Sequence, residues 1–288
     1  MATKTLAAGE EKGIFITADT QYGYAEKCFQ EKEFLTAMVE FKRFIHFFPE
    51  DKKIKKASFF TGKALYQLKD YEEAKKVFNT LLFPFSEDPM VVDAYFMMAN
   101  THEKMGKSGE AQTVLQNLLL LTDDTRTKDR VHATLGWIDL KRSQAMEKGA
   151  LERAETNIDR LSEWGAGTYG KTRLNKTINT IHGQKEKNPV IAGIAAIVPG
   201  MGFLYCERYQ DALVSFLLNT SLIMAAHESF DRDLNTLGGV ICFVETGFFA
   251  GNIYGSISSA HKFNQNLRQK ALESLEQDLK SPFQASPP

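Results

Sequence analysis

Two hydrophobic patterns divide this chain. Over residues 17–162 apolar positions recur at helical spacing and are broken by short polar turns, which predicts paired amphipathic helices. The clearest unit, 57–88, reads ASFFTGKALYQLKDYEEAKKVFNTLLFPFSED. In it Gly62 is the small residue where one helix touches the next, Lys69-Asp70 gives the turn, and Tyr71 opens the second helix. Ala74, Phe78 and Leu81 continue that helix's inner face. The same frame fits Ala25, Phe34, Ala37, Phe41, Phe44 and Pro49 before it, and Ala99, Gly106, Ala111, Leu115 and Leu118 after it. Ala37, Ala74 and Ala111 are each 37 residues apart. A fixed period of this size with small residues at helix crossings is the signature of a solenoid. A fourth unit, 129–162, is looser, with Gly136 in place but a lengthened turn around 143–150.

From Asn188 to Asn264 the pattern changes to three apolar runs: NPVIAGIAAIVPGMGFLYCERYQDALVSFLLNTSLIMAAHESF, then TLGGVICFVETGFFAGNIYGSISSAHKFN. The first run, 190–198, is too short to span a bilayer and is cut by Pro199-Gly200-Met201-Gly202, so it predicts a re-entrant or interfacial hairpin. The second, 212–227, lies between Asp211 and Glu228, with Arg208, Tyr209 and Arg232 placed for head-group level. The third, 236–261, is long enough to span and holds Glu245 and Asn252. Gly247, Gly251 and Gly255 recur every fourth residue, a doubled GxxxG face that lets another helix approach closely. The expected partner for that face is the second run of the same chain, with a homodimer as the alternative. A soluble helical hairpin buried in a large core is the competing reading of the module.

The repeat units resemble tetratricopeptide repeats over 17–162. The family period is 34, so each unit here is about three residues longer. Cys28 replaces an aromatic of the family pattern, and Ser86 stands where proline is usual. The resemblance implies a concave groove formed by the inner faces of the first helices. It places Tyr22, Glu26 and Phe29 there, then Phe59, Lys63 and Tyr66, then Phe96, Asn100 and Glu103. Aromatics interleaved with charges suit a peptide segment of a protein partner; the competing reading has some aromatics filling gaps between repeats. Lys63 and Asn100 are placed as in carboxylate-binding members, but Glu26 has the wrong charge for such a clamp.

PGMGFLYCERYQDALVSFLLN and ETGFFAGNIYGSISSAHKFN are similar to a C-terminal module of bacterial membrane-associated repeat proteins, which carry PGxGxxY, DALxxFLLN and GNIYG motifs. That resemblance implies a membrane setting and no particular activity. The expected fold is therefore all-α: a tetratricopeptide-like helical solenoid followed by a membrane-embedded helical hairpin module. The expected divisions are a disordered lead-in at 1–16, the array at 17–163, a basic connector at 164–187, the membrane module at 188–264, and a helix end with a disordered tail at 265–288.

Composition and charge narrow the function. A formal net charge of -1 argues against a nucleic-acid partner. Cys28, Cys206 and Cys242 are far apart and form no CxxC pair, so neither a disulfide framework nor a metal site is expected. MATKTLAAGEEKG lacks the apolar core of a secretory leader, although it would also fit a chain whose leader had been removed. Lys171, Arg173, Lys176, Lys185 and Lys187 precede the module, and Lys262, Arg268 and Lys270 follow it. By charge both termini face the cytoplasm at a bacterial inner membrane, and the basic flanks meet anionic lipids. The resemblance of the module instead implies repeats on the periplasmic side, and the side is left open.

Catalytic patterns fail: His227-Glu228 has no second histidine of an HExxH, Ser259 to Lys262 fits SxxK without supporting motifs, and Thr61-Gly62-Lys63 lacks a glycine-rich loop. No enzyme activity or cofactor is expected. Asn219, Glu245 and Asn252 are polar groups at membrane depth. They are expected to hydrogen-bond one another between helices, or else to serve a cation, a lipid head group or an assembly partner. The reading is a membrane-anchored scaffold that binds a partner segment in its groove. The alternative is a membrane-biogenesis or transport component in which the module does the work.

Overall fold

A computed structural model describes residues 15–278. Most of the expected lead-in and all of the tail from Ser281 lie outside the described residues. Among the described residues there are fourteen helices and no strand. The chain divides into two compact units, with the boundary between Val131 and His132, inside α7 (Thr125–Gln144).

The first unit is built of helix pairs: α1 (Ala18–Gln30) with α2 (Phe34–Phe47), α3 (Ile54–Gln67) with α4 (Tyr71–Leu81), and α5 (Pro89–Lys104) with α6 (Ser108–Leu121). Local chemistry sets the starts. Thr17 accepts a hydrogen bond from the Thr20 amide, and Asp70 accepts one from Glu73. Asp88 accepts one from Met90, with Pro89 at the first helical position. Each such cap contributes about 1 kcal/mol.

The turns within the pairs repeat the same geometry. Lys32, Lys69 and Gly106, again 37 apart, sit at φ of 64°, 64° and 73°. The amides of Glu33, Asp70 and Lys107 reach back to the carbonyls of Cys28, Leu65 and His102, closing three equivalent Schellman turns. The two lysines adopt a conformation that costs a non-glycine residue roughly 1–2 kcal/mol, and the repeated hydrogen bonds hold them there.

Packing follows the same period. Ala37, Ala74 and Ala111 are fully buried, as are Phe41, Phe78 and Leu115 one turn further on. Gly62 is required at its crossing, since a Cβ there would stand 2.6 Å from the Phe78 ring.

In the second unit the remainder of α7 packs on α8 (Ala150–Asp159), where Gly136 meets Ile158 in the repeat frame. The stretch expected as a connector carries α9 (Glu163–Thr168) and α10 (Lys171–His182). Leu174 and Ile178 of α10 share one core with Trp137, Ile158, Leu272 and Leu275. The basic stretch is therefore amphipathic helix: its apolar positions are buried and its lysines face out.

Two short helices, α11 (Pro189–Ala195) and α12 (Met201–Tyr205), form the expected hairpin, turning at Gly200 with φ 84°. A Cβ on Gly200 would lie 2.3 Å from the Ala212 carbonyl oxygen, and one on Gly202 would lie 2.4 Å from both the Ala192 carbonyl and the Ser256 hydroxyl. No other residue fits at either position. The two long helices are α13 (Tyr209–Asp231) and α14 (Asn235–Asp278). They run antiparallel: Phe230 rests on Gly238 beside the turn, and Ser215 bonds Asn252 further along. The third apolar run continues without a break into the C-terminal part of α14, whose 44 residues measure about 66 Å.

Candidate partner groove and membrane module

The nine residues projected onto the groove occupy three positions of the repeat frame, and the structure separates them. Tyr22, Phe59 and Phe96 are 3%, 8% and 1% exposed. Tyr22 packs edge-on against Phe41 and Phe44, and Phe59 against Phe60 and Phe78. These three are core residues and not anchors for a partner. Positions i, i+4 and i+7 span about 60° of one helix face with i between the other two, and it is this middle position that packs into the neighbouring helices. Phe29 is half-buried and fills the gap between pairs, with the Phe34 and Phe60 rings at 5.4 and 5.1 Å.

Glu26, Lys63, Tyr66, Asn100 and Glu103 keep partial exposure along the stripe. Glu26 pairs with Lys56 at 3.3 Å. Lys63 lies over the rings of Phe29, Phe59 and Phe60 at 5.1–5.6 Å, and among the described residues no carboxylate comes within ion-pair distance of it. Burial holds its ammonium below the usual lysine range, against a weaker pull from Asp93. Burial likewise raises the Tyr66 hydroxyl above its ordinary value; Tyr71 adds to the effect and a hydrogen bond with Asn100 opposes it. Glu103 leaves one buried carboxylate oxygen without a hydrogen-bond partner.

Sequence reasoning missed Arg130. Its guanidinium lies 3.9 Å over the Phe96 ring and bonds Asp93 at 2.6 Å. Lys56, Asp93 and Arg130 occupy one frame position, 37 apart with alternating sign, and that alternation was the available signal.

The module buries small and polar side chains and turns its large apolar ones outward. Phe216, Leu217, Met224, Val240, Phe243 and Tyr254 face outward, Phe243 at 82% exposure, whereas Asn219 and Asn252 are 1% and 4% exposed. Two helices, Tyr209–Asp231 and the stretch Asn235–Gln277 of α14, are long and apolar enough to cross a membrane. Only 22% and 11% of their apolar windows are buried by the rest of the chain. A hairpin in the core of a soluble protein would be mostly covered.

The inward amides do different work from that expected. Asn252 donates to the Ala196 carbonyl at 2.6 Å and accepts from the Gly200 amide at 3.2 Å and from Ser215 Oγ at 2.8 Å. It thereby ties the hairpin to α14 and α13. Asn219 bonds within its own helix, to the Ser215 carbonyl at 2.7 Å, and not to Asn252 or Glu245. Both oxygens of Glu245 are buried without a hydrogen-bond partner, as is Asn219 Oδ1. A second clamp was not foreseen: Asn264 accepts from the Lys187 amide and donates to its carbonyl, at 2.8 and 2.9 Å.

The glycine face divides. Gly255 lies under the Phe203 ring of α12, while a Cβ on Gly247 or Gly251 would meet nothing within 4 Å. The second run is not their partner, because α13 packs on the stripe of α14 through Gly238 and Asn252. Among the described residues no group of three or more potential ligands could hold a metal ion.

The tetratricopeptide repeat family model matches residues 56–82 and 92–125, the stretches that fold as α3–α4 and α5–α6. The first unit therefore contains tetratricopeptide repeats, an interaction fold that generally binds protein partners. No curated protein matches the chain.

Proposed function

We propose that this protein is a scaffold whose repeats bind a segment of a protein partner and whose residues 188–264 anchor it in a bacterial inner membrane. The observation that carries the anchor is the apolar outer surface of the module. Large apolar side chains face outward along α13 and α14 while asparagine and serine side chains close on one another inside, the arrangement a bilayer favours and water opposes. At the end of the module where α11 begins, Lys187 pairs with Glu207 at 2.9 Å and Arg208 with Asp211 at 2.6 Å, beside Tyr205. These groups suit the head-group layer. Gly247 and Gly251 offer an open face for a second copy.

The anchor is tested with Lys52→Cys, an exposed loop position, in a chain whose three cysteines are alanine. The protein is expected to stay with membranes through alkaline carbonate, and Lys52→Cys to react with an impermeant maleimide only after the inner membrane is opened. Labelling of intact cells would place the repeats in the periplasm, as the resemblance of the module implies. Release by carbonate would overturn the anchor.

In the groove, Lys63, Tyr66 and Asn100 form the accessible polar surface. The desolvated ammonium of Lys63 favours a segment bearing an acidic side chain. Lys63→Ala with Tyr66→Ala is expected to weaken partner capture by about tenfold or more, measured by photocrosslinking from the groove. The unpartnered Glu245 carboxylate supports a second reading, a transport or biogenesis role for the module. Under it Glu245→Gln abolishes function and the groove pair does not.

A further inference from the structure

We propose that the cleft between α10 and the C-terminal part of α14 binds a phosphate-bearing anion, on a phospholipid head group or a phosphorylated solute. The cleft has a volume of about 410 Å³, within the range of small-molecule sites. Lys176 and Lys270 supply two cations and Thr177 and Ser274 two hydroxyls, with Arg173 beside them and the Thr180 hydroxyl donating to the Lys176 carbonyl at 2.8 Å; no acidic residue lines it.

The neighbouring basic side chains are already engaged: Lys171 with Asp159, Lys187 with Glu207, and Arg268 with Glu186. Among the described residues no carboxylate lies within ion-pair distance of Lys176 or Lys270. Two acids on this part of α14 are occupied elsewhere, Glu273 accepting from Gln269 and Glu276 pairing with Lys141. Leu275 and Ala271 add apolar wall.

Folding creates this site from segments remote in sequence. The basic positions of 171–176 and 268–270 meet because the apolar faces of α10 and α14 share one core through Leu174, Ile178, Leu272 and Leu275. One rim lies at Gln184, which donates to the Leu267 carbonyl at 3.1 Å. That rim is one helical turn, about 5 Å, beyond the Asn264 clamp that begins the module. Basic pockets just outside a membrane segment are where anionic head groups bind. The lipid source rests on the membrane reading above; the chemistry of the cleft does not.

The test uses the full chain in a neutral detergent and three probes: phosphatidylglycerol in mixed micelles, phosphatidylcholine in the same micelles, and inorganic pyrophosphate in the buffer. Calorimetry is expected to show binding of phosphatidylglycerol over phosphatidylcholine, of pyrophosphate, or of both. Lys176→Gln with Lys270→Gln should weaken that binding about tenfold or more, while Lys148→Gln, in the same unit but outside the cleft, leaves it unchanged. Phosphatidylglycerol without pyrophosphate assigns a lipid head group, and pyrophosphate binding assigns a phosphorylated solute. Binding of neither by the wild-type chain, or equal binding by the double variant with unchanged helical circular dichroism, overturns the site. Failure of the anchor would be read separately, from carbonate extraction.

Discussion

Replacing Asn252 with alanine is expected to free the α11–α12 hairpin and expose Cys206. The Asn252 amide makes three bonds, to Ala196, Gly200 and Ser215, that join the hairpin to both long helices. Alanine removes all three and leaves a backbone amide and a carbonyl unpaired in a buried place, at about 1–3 kcal/mol for each. The hairpin's other holds are the Phe203 ring over Gly255, the close approach of Gly202 to Ser256 and the contact of Cys206 with the Ser256 carbonyl. Its buried residues are small, Ala192 and Gly202 among them, and its large side chains, Ile191, Ile194, Ile197 and Leu204, point outward.

The three native cysteines supply the measurement. Cys206 is 2% exposed and packs against Ser256, Cys28 is equally buried in the array, and Cys242 is exposed. In detergent, Asn252→Ala should raise the rate of maleimide labelling at Cys206 while leaving Cys28 protected and Cys242 unchanged. Ser215→Ala, which removes one of the three bonds, should have a smaller effect. Unaltered protection of Cys206 in Asn252→Ala would show that packing alone holds the hairpin.

The second large effect is expected at Phe78→Ala. Phe78 is fully buried, lies edge-on to Phe59 at 6.0 Å, and fills the crossing left open by Gly62. Its truncation should cost about 3–5 kcal/mol, and hydrogen exchange of the α3 and α4 amides should accelerate by about a hundredfold or more. Gly62→Ala alone is also destabilising, because the new methyl meets the ring. Combined with Phe78→Ala, that methyl enters the vacated space. The double variant should then be less destabilised than the sum of the two by about 0.5–3 kcal/mol. Simple additivity would mean that the ring relaxes away from Gly62 without cost.

The repeat was legible in the sequence because it rests on local rules. Ala37, Ala74 and Ala111 mark the period, and the turns at Lys32, Lys69 and Gly106 follow it residue for residue. The apolar runs and the Pro199-Gly200 break were equally plain, and α11 to α14 formed where they indicated. The groove was legible only in part. Frame position places a residue on one helix face, but the rotation of each helix decides whether Tyr22, Phe59 and Phe96 meet solvent or core, and that rotation depends on side chains elsewhere, such as Phe41 and Phe78.

The chain's own order of polar and apolar residues determined an all-helical protein with tetratricopeptide repeats and two helices apolar enough to cross a membrane, because helix period and run length are properties of contiguous sequence. The tertiary structure decided which polar groups meet. Asn252 clasps Gly200 rather than Asn219, Arg130 covers Phe96, and Lys176 comes to face Lys270 across a cleft. The physical reason is common to all three: hydrogen bonds and charge contacts have a reach of a few ångströms, so pairs separated by tens of residues are fixed only when helices pack and their rotations are set.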